Sequence, residues 1–275
     1  MSLKGVAKQT LTILHQGWYT APSGERRQLA AWQTAAEEGT RLHRPDELDA
    51  LLRPQGSGGG PPRCQVSAET TQQAARRLVL DLGVEDLALL NFASARNAGG
   101  GFINGAKAQE EDVSRCSGLY PCLLRAPEYY AFNRARDSLL YSDHVIYSPA
   151  VPFFREHSRH LLEQPFRCAV ITAPAPNAGQ VLRRDPTAAP AVEASLRQRA
   201  GKVLAVARAH GHRSLLLGAW GCGVFRNDPV LVADAFGRWL AGPTFAGAFD
   251  LAAFAIPGRA FDGANLRAFQ ERFGE

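Results

Sequence analysis

Lysine is scarce in this chain of 275 residues, with 4 Lys beside 27 Arg. The 31 basic groups stand against 26 acidic ones, for a formal charge of +5 and a pI near 9.1. Arginine suits bidentate phosphate recognition. The arginines are nevertheless scattered, without the stripe of basic residues and exposed aromatics that a nucleic-acid binder displays, so no direct nucleic-acid partner is expected. Long apolar runs are missing too. The longest, such as Leu87 to Leu90 and Leu251 to Ile256, fall far short of the roughly 20 residues that span a bilayer, so no membrane association is expected. The opening MSLKGVAKQT lacks the apolar core and small-residue cleavage site of a secretory signal, which points to the cytoplasm. Five cysteines (Cys64, Cys116, Cys122, Cys168, Cys222) form an odd set with no CxxC pair and no zinc spacing, so reduced thiols and no structural metal are expected. The seven His show no metal or triad spacing.

At 45% apolar and 21% charged, the composition is that of a globular protein. Residues 1–62 read as an N-terminal helical accessory segment, with a second helical stretch through Arg26 to Glu38. It ends in a run of Gly, Pro and Ser from Pro54 to Pro62 that favours a mobile loop. From residue 63 to 275, strand-like runs alternate with helix-like stretches, the pattern of an α/β layer fold. The expected strands are Gln65–Ala68, Leu87–Ala93, His144–Ser148, Cys168–Thr172, Ser214–Gly218 and Leu251–Ile256. The expected helices are Thr70–Leu82, Ala108–Ser117, Ala189–His210, Pro229–Leu240 and Asn265–Phe273.

Two constellations carry chemistry. In the first, the strand LLNF leads through Asn97 into Gly99, Gly100 and Gly101, and a helix then opens on Gln109, Glu110 and Glu111. Three successive glycines suit a flexible turn, or a place where backbone must approach something closely. Acids in a first helical turn complement the helix dipole. Two adjacent Glu project about 100° apart on a helix, so one can face a glycine-lined cleft while the other anchors. In the second, the strand LLLG runs into Gly221, Cys222, Gly223, Val224 and Phe225, then a helix with Asp228 as cap and Pro229 at its first position. Strand, glycine loop and helix N-terminus make an anion cradle. Neither the Walker pattern nor GxGxxG is matched, which disfavours ATP hydrolysis and nicotinamide binding. Cys222 has glycines too close for a nucleophile elbow and reads as a small residue that admits backbone to a ligand. Phe225 is either core or an aromatic lid.

Taken together, LLNFASARNAGGGFINGAKAQEEDVSRCSGLY, IYSPAVPFFRE, VITAPAPNAG and LLLGAWGCGVFRNDP resemble the bacterial-type poly(ADP-ribose) glycohydrolases of the macrodomain superfamily. The resemblance implies a macrodomain-like α/β fold, a mixed, mostly parallel sheet flanked by helices, with the catalytic domain over residues 63–275. It implies a monomeric glycosidase that releases ADP-ribose from the chain end of poly(ADP-ribose), free or on ADP-ribosylated proteins, with no metal and no cofactor. By matching positions, Glu111 is the catalytic acid and Glu110 holds the reacting ribose. Asn97 binds a hydroxyl of that ribose, Gly99 to Gly101 pass close to it, and Gln109 positions the motif. Gly221, Cys222, Gly223 and Val224 wrap the diphosphate, with Phe225 against the ribose near it. A macrodomain that binds ADP-ribose without cleaving it is the alternative, which the Glu110-Glu111 pair disfavours. The basic excess lies in residues 157–226, with 10 basic and 3 acidic groups, where a field could draw in a polyanion.

Overall fold

The computed structural model describes residues 1–54, 58–157, 160–258 and 263–274. The chain opens with α1 (Leu3–Gln16), the hairpin β1 (Trp18–Thr20) and β2 (Arg26–Gln28), α2 (Ala30–Glu38), β3 (Arg41–His43) and α3 (Pro45–Leu51). It continues with β4 (Arg63–Ser67), α4 (Thr71–Arg76), β5 (Leu87–Phe92), α5 (Gln109–Cys116), α6 (Leu119–Leu124), α7 (Pro127–Arg134), β6 (Val145–His157) and β7 (His160–Ala173). Then follow α8 (Ala178–Arg184), α9 (Ala189–Ala209), β8 (Ser214–Leu217), α10 (Pro229–Ala241), β9 (Leu251–Ala255) and α11 (Ala264–Phe273).

Seven strands form one mixed sheet in the order β3-β6-β7-β5-β8-β9-β4. β7, β5, β8, β9 and β4 are mutually parallel neighbours, whereas β6 is antiparallel to both β3 and β7. Both faces are covered, which is why β5 reads as a continuous apolar run. Its Ala88 and Leu90 join a core with α3, α9, α10 and α11, while Leu87 and Leu89 point the other way into a core with α2, α4, α5, α6 and α7. Local signals start the helices. Thr70 and Gln73 close a capping box on α4, and Asp228 accepts the Val230 N–H at 2.9 Å ahead of Pro229 in α10. Among the described residues no helix is long and apolar enough to cross a membrane.

Several expectations change. Arg26–Gln28 is a strand, so the second helix begins only at Ala30. β3 belongs to the main sheet, pairing its residues Arg41–His43 with Val145–Tyr147, so the N-terminal segment is woven into the sheet as well as flanking it with helices. The expected strands at His144–Ser148 and Cys168–Thr172 are the inner parts of a much longer hairpin, β6–β7, whose ladder is broken by register shifts. Pro149 and Pro152 obscure it in the sequence. They are tolerated because, beyond its short pairing with β3, the outer edge of β6 faces the turn between α5 and α6, where the Gly118 N–H donates to the Pro152 carbonyl. Of the Pro54–Pro62 run, Gln55, Gly56 and Ser57 lie outside the described residues. On either side the chain is held: Arg208 donates to the carbonyls of Leu51, Arg53 and Thr244, and the Gly247 N–H donates to Gly60.

Candidate active site

Since β7, β5 and β8 lie side by side and parallel, the loops after Ala173, Phe92 and Leu217 leave the sheet at one edge. Ligands of open α/β sheets bind at such strand ends. A cleft of about 810 Å³ opens there, and Asn97, Gly100, Gly101, Glu111 and Phe225 are on its walls. Glu111 of the first glycine constellation and Phe225 of the second therefore border one cleft, although 114 residues of sequence separate them.

Gln109 fastens the start of α5 to the end of β5. Its Oε1 accepts from the Phe92 N–H at 2.8 Å, and its Nε2 donates to the Leu90 carbonyl at 2.9 Å and to Thr71 Oγ1 at 3.2 Å. With the helix start fixed, the next two carboxylates diverge. Glu110 turns inward: it is 2% exposed, its Oε2 accepts from the Ser94 N–H at 2.7 Å, and its Oε1 accepts from Asn91 Nδ2 at 3.2 Å. Burial pushes its carboxyl up to about 8, opposed by those hydrogen bonds and reinforced by the charge of Glu111. Both oxygens are engaged and Glu110 is absent from the cleft wall, so its carboxylate is committed to the loop that carries Asn97.

Glu111 faces the cleft. Its Oε1 accepts from the Gly101 N–H at 2.8 Å, while its Oε2 is buried without a hydrogen-bond partner. The glycine run makes this approach feasible. Gly100 has φ +58°, and a Cβ there would collide with Glu111 Oε1. Gly99 packs on Tyr120 behind the wall. Asn97 is exposed, with its backbone N–H on Ser94 Oγ at 3.1 Å.

The second loop is tied down from beneath. Trp220 Nε1 donates to the Ala173 carbonyl at 3.1 Å, and Asn227 Nδ2 donates to the carbonyls of Pro176 and Gly221. Gly221 has φ +73°, and a Cβ there would strike Ala175 and Asn227. Cys222 is buried and burial drives its thiol far above the ordinary range, so no thiolate is available. Val224 is 78% exposed, and Gly221 to Val224 do not border the cleft that holds Glu111. Phe225 does border it, and its ring stands 5.8 Å from that of Tyr141. Phe225 is thus a cleft aromatic.

Sequence reasoning missed Arg96, Tyr130, Arg134 and Tyr141 on the same walls. Tyr130 comes from α7, and Pro121 and Pro127 hide α6 and α7 from a helical pattern. Tyr141 sits in a loop at φ +60°, a conformation that a sequence does not advertise. Four of the ten basic residues in 157–226 are paired with carboxylates, which weakens the expected field. Arg199 and Lys202 share Asp143, Arg197 pairs with Glu193 and Asp234, and Arg213 pairs with Asp250. Among the described residues, no group of three or more His, Cys, Asp and Glu is arranged to hold a metal ion.

Comparison with known proteins places the chain in a family. The family described as microbial-type PARG, catalytic domain, matches residues 7–156. The crystal structure of a poly(ADP-ribose) glycohydrolase from Thermomonospora curvata is similar at 48% identity and a TM-score of 0.93, covering 98% of this chain and 99% of that one. The same protein bound to the inhibitor ADP-HPD gives 47% and 0.91 over the same shares. The poly(ADP-ribose) glycohydrolase from Deinococcus radiodurans in complex with ADP-ribose is 47% identical with a TM-score of 0.81, covering 87% of this chain and 96% of that one. No curated protein matches the chain.

Proposed function

The chain belongs to the microbial-type poly(ADP-ribose) glycohydrolases, and from that membership we propose the reaction it performs. It is a glycosidase that hydrolyses the ribose–ribose O-glycosidic bond of poly(ADP-ribose), free or attached to proteins, and it releases ADP-ribose from the chain end. The observation that carries this is the divided state of Glu111, one oxygen fixed by the Gly101 N–H and the other buried and unpartnered at the cleft. Leaving such an oxygen unpaired costs about 1–3 kcal/mol, which a substrate oxygen presented to it would recover.

In the reaction, the terminal ribose lies over Gly99 to Gly101 with a hydroxyl on Asn97. Glu111 Oε2 gives its proton to the departing ribose oxygen, and the bonding pair leaves with that oxygen. Water then adds to the oxocarbenium-like carbon and returns a proton to Glu111, which serves first as acid and then as base. Glu111 is the only carboxylate bordering the cleft among the described residues, so a second carboxylate across the bond is not at hand. The substrate's own diphosphate, cradled by Gly221 to Phe225, supplies the negative charge near the developing cation. Glu110 and Gln109 act by holding the loop and the helix start. The five free thiols support work in a reducing compartment such as the cytoplasm.

Glu111→Gln tests the assignment. It is expected to lower release of ADP-ribose from poly(ADP-ribose) by about 10²–10⁴-fold, while calorimetry gives an affinity for ADP-ribose close to that of the unaltered protein. Wild-type turnover by this variant would remove Glu111 from the chemistry. A product pattern of oligomers instead of ADP-ribose would replace chain-end release by internal cleavage.

A further inference from the structure

The cleft holds more than a terminal ribose requires. Its volume of about 810 Å³ lies toward the upper end of the ~300–1,000 Å³ that enclose a whole small ligand, yet Gly221 to Val224, the cradle for the terminal unit's diphosphate, do not border it. Two arginines do, Arg96 and Arg134. Arg134 Nη1 donates to the Arg96 carbonyl at 2.7 Å, which ties the two residues together. Arg96 Nε is buried without a hydrogen-bond partner. Neither side chain has a carboxylate partner among the described residues, unlike Arg197, Arg199 and Arg213. The same cleft displays Ile103 and Leu124, 46% and 53% exposed, and Pro127. Unpaired guanidiniums within one cavity with bare aliphatic side chains suit a nucleoside that carries phosphate, the base on the apolar surface and the phosphate on the arginine fork.

We propose that this part of the cleft is a second subsite, which binds the adenosine-phosphate portion of the polymer unit on the leaving side of the scissile bond. The inference rests on the glycohydrolase reading above. Because the terminal unit's diphosphate is accounted for by the second glycine loop, the arginines inside the cleft serve a phosphate from the neighbouring unit. The enzyme thereby recognises a chain, and gains nothing at this subsite from a single ADP-ribose.

Two substrates with the same scissile bond separate the cases: ADP-ribose joined through its terminal ribose to adenosine, and ADP-ribose joined in the same way to ADP. The unaltered protein is expected to favour the ADP-linked substrate by roughly tenfold or more in kcat/KM. Arg96→Gln with Arg134→Gln is expected to erase that preference and leave affinity for free ADP-ribose unchanged. Because Arg134 also steadies the loop, Arg96→Gln alone is measured beside the pair. Its side chain makes no hydrogen bond among the described residues, and it is expected to lower the preference several-fold. Equal turnover of both substrates by the unaltered protein, or loss of ADP-ribose affinity in step with turnover, would overturn the subsite. No turnover of either substrate would instead reject the hydrolase reading, and the subsite with it.

Discussion

Gly100→Ala isolates the contact on which the site depends. The residue has φ +58°, which costs a side-chain-bearing residue roughly 1–2 kcal/mol. The added methyl would overlap Glu111 Oε1, with Glu111 Cδ at 3.1 Å and Glu110 Oε2 at 3.2 Å. Glu111 must swing away, and the 2.8 Å bond from the Gly101 N–H is lost, at about 1–3 kcal/mol for a donor left unsatisfied. The two costs amount to about 2–5 kcal/mol, a fall in Tm on the order of 10 °C. Displacing the acid by about 1 Å is expected to cost roughly 100-fold in turnover. The assay is ADP-ribose release from poly(ADP-ribose) at a temperature where the variant is folded, with Tm measured in parallel. Gly83→Ala is the control. Gly83 has φ +70°, but a Cβ there meets nothing within 4 Å, so strain appears without the contact and turnover stays unchanged. Wild-type turnover by Gly100→Ala, or equal inactivation by Gly83→Ala, would refute the reasoning.

Gln109→Glu keeps the acceptor for the Phe92 N–H but sets a carboxylate oxygen against the Leu90 carbonyl that Nε2 now serves; Tm and turnover are expected to fall together, with a stability cost of about 1–3 kcal/mol. Cys222→Ala is expected to retain turnover, since the thiol is buried and its ionisation suppressed; inactivation with an unchanged Tm would contradict this. Glu110 is neutral in both folded and unfolded chains at low pH. Its folded pKa is raised from 4.5 to about 8, so its contribution is fully present below about 4.5 and is lost as pH rises through about 8. Urea titrations of Glu110→Gln against the unaltered protein should show a shallower decline across that window, by an amount on the order of a few kcal/mol. Parallel pH profiles would remove Glu110 as the titrating group.

The parallel strands were legible because burial on both faces leaves uninterrupted apolar runs such as LALL in β5, and because caps at Thr70 and Asp228 mark helix starts. The glycine motifs were legible because positive φ and close approach leave few residues to choose from. Elements that owe their form to distant partners were not. Arg41–His43 is a strand through Val145–Tyr147, some 100 residues away, and α6 and α7 carry prolines inside or at the start. Adjacent Glu110 and Glu111 look equivalent in sequence. Their separation into a buried anchor and a cleft-facing acid depends on where Ser94, Asn91 and Gly101 present donors, which only the folded loop decides.

The Gly/Pro stretch also bears on how the chain is made. Together with α3 it links β3 at one edge of the sheet to β4 at the other, six strand spacings or roughly 29 Å away. β4 has a single strand partner, β9, and the register Arg63↔Leu251 means that this partner is synthesised about 190 residues later. At ~5–20 residues per second, β4 waits on the order of 10–40 s on the ribosome before its edge can be covered. Its neighbours in the parallel sheet face shorter delays of the same kind, so folding of this protein is dominated by late, non-local closure. A nascent chain truncated before β9 therefore leaves β4 unpaired, and that strand is where association between incomplete chains would begin.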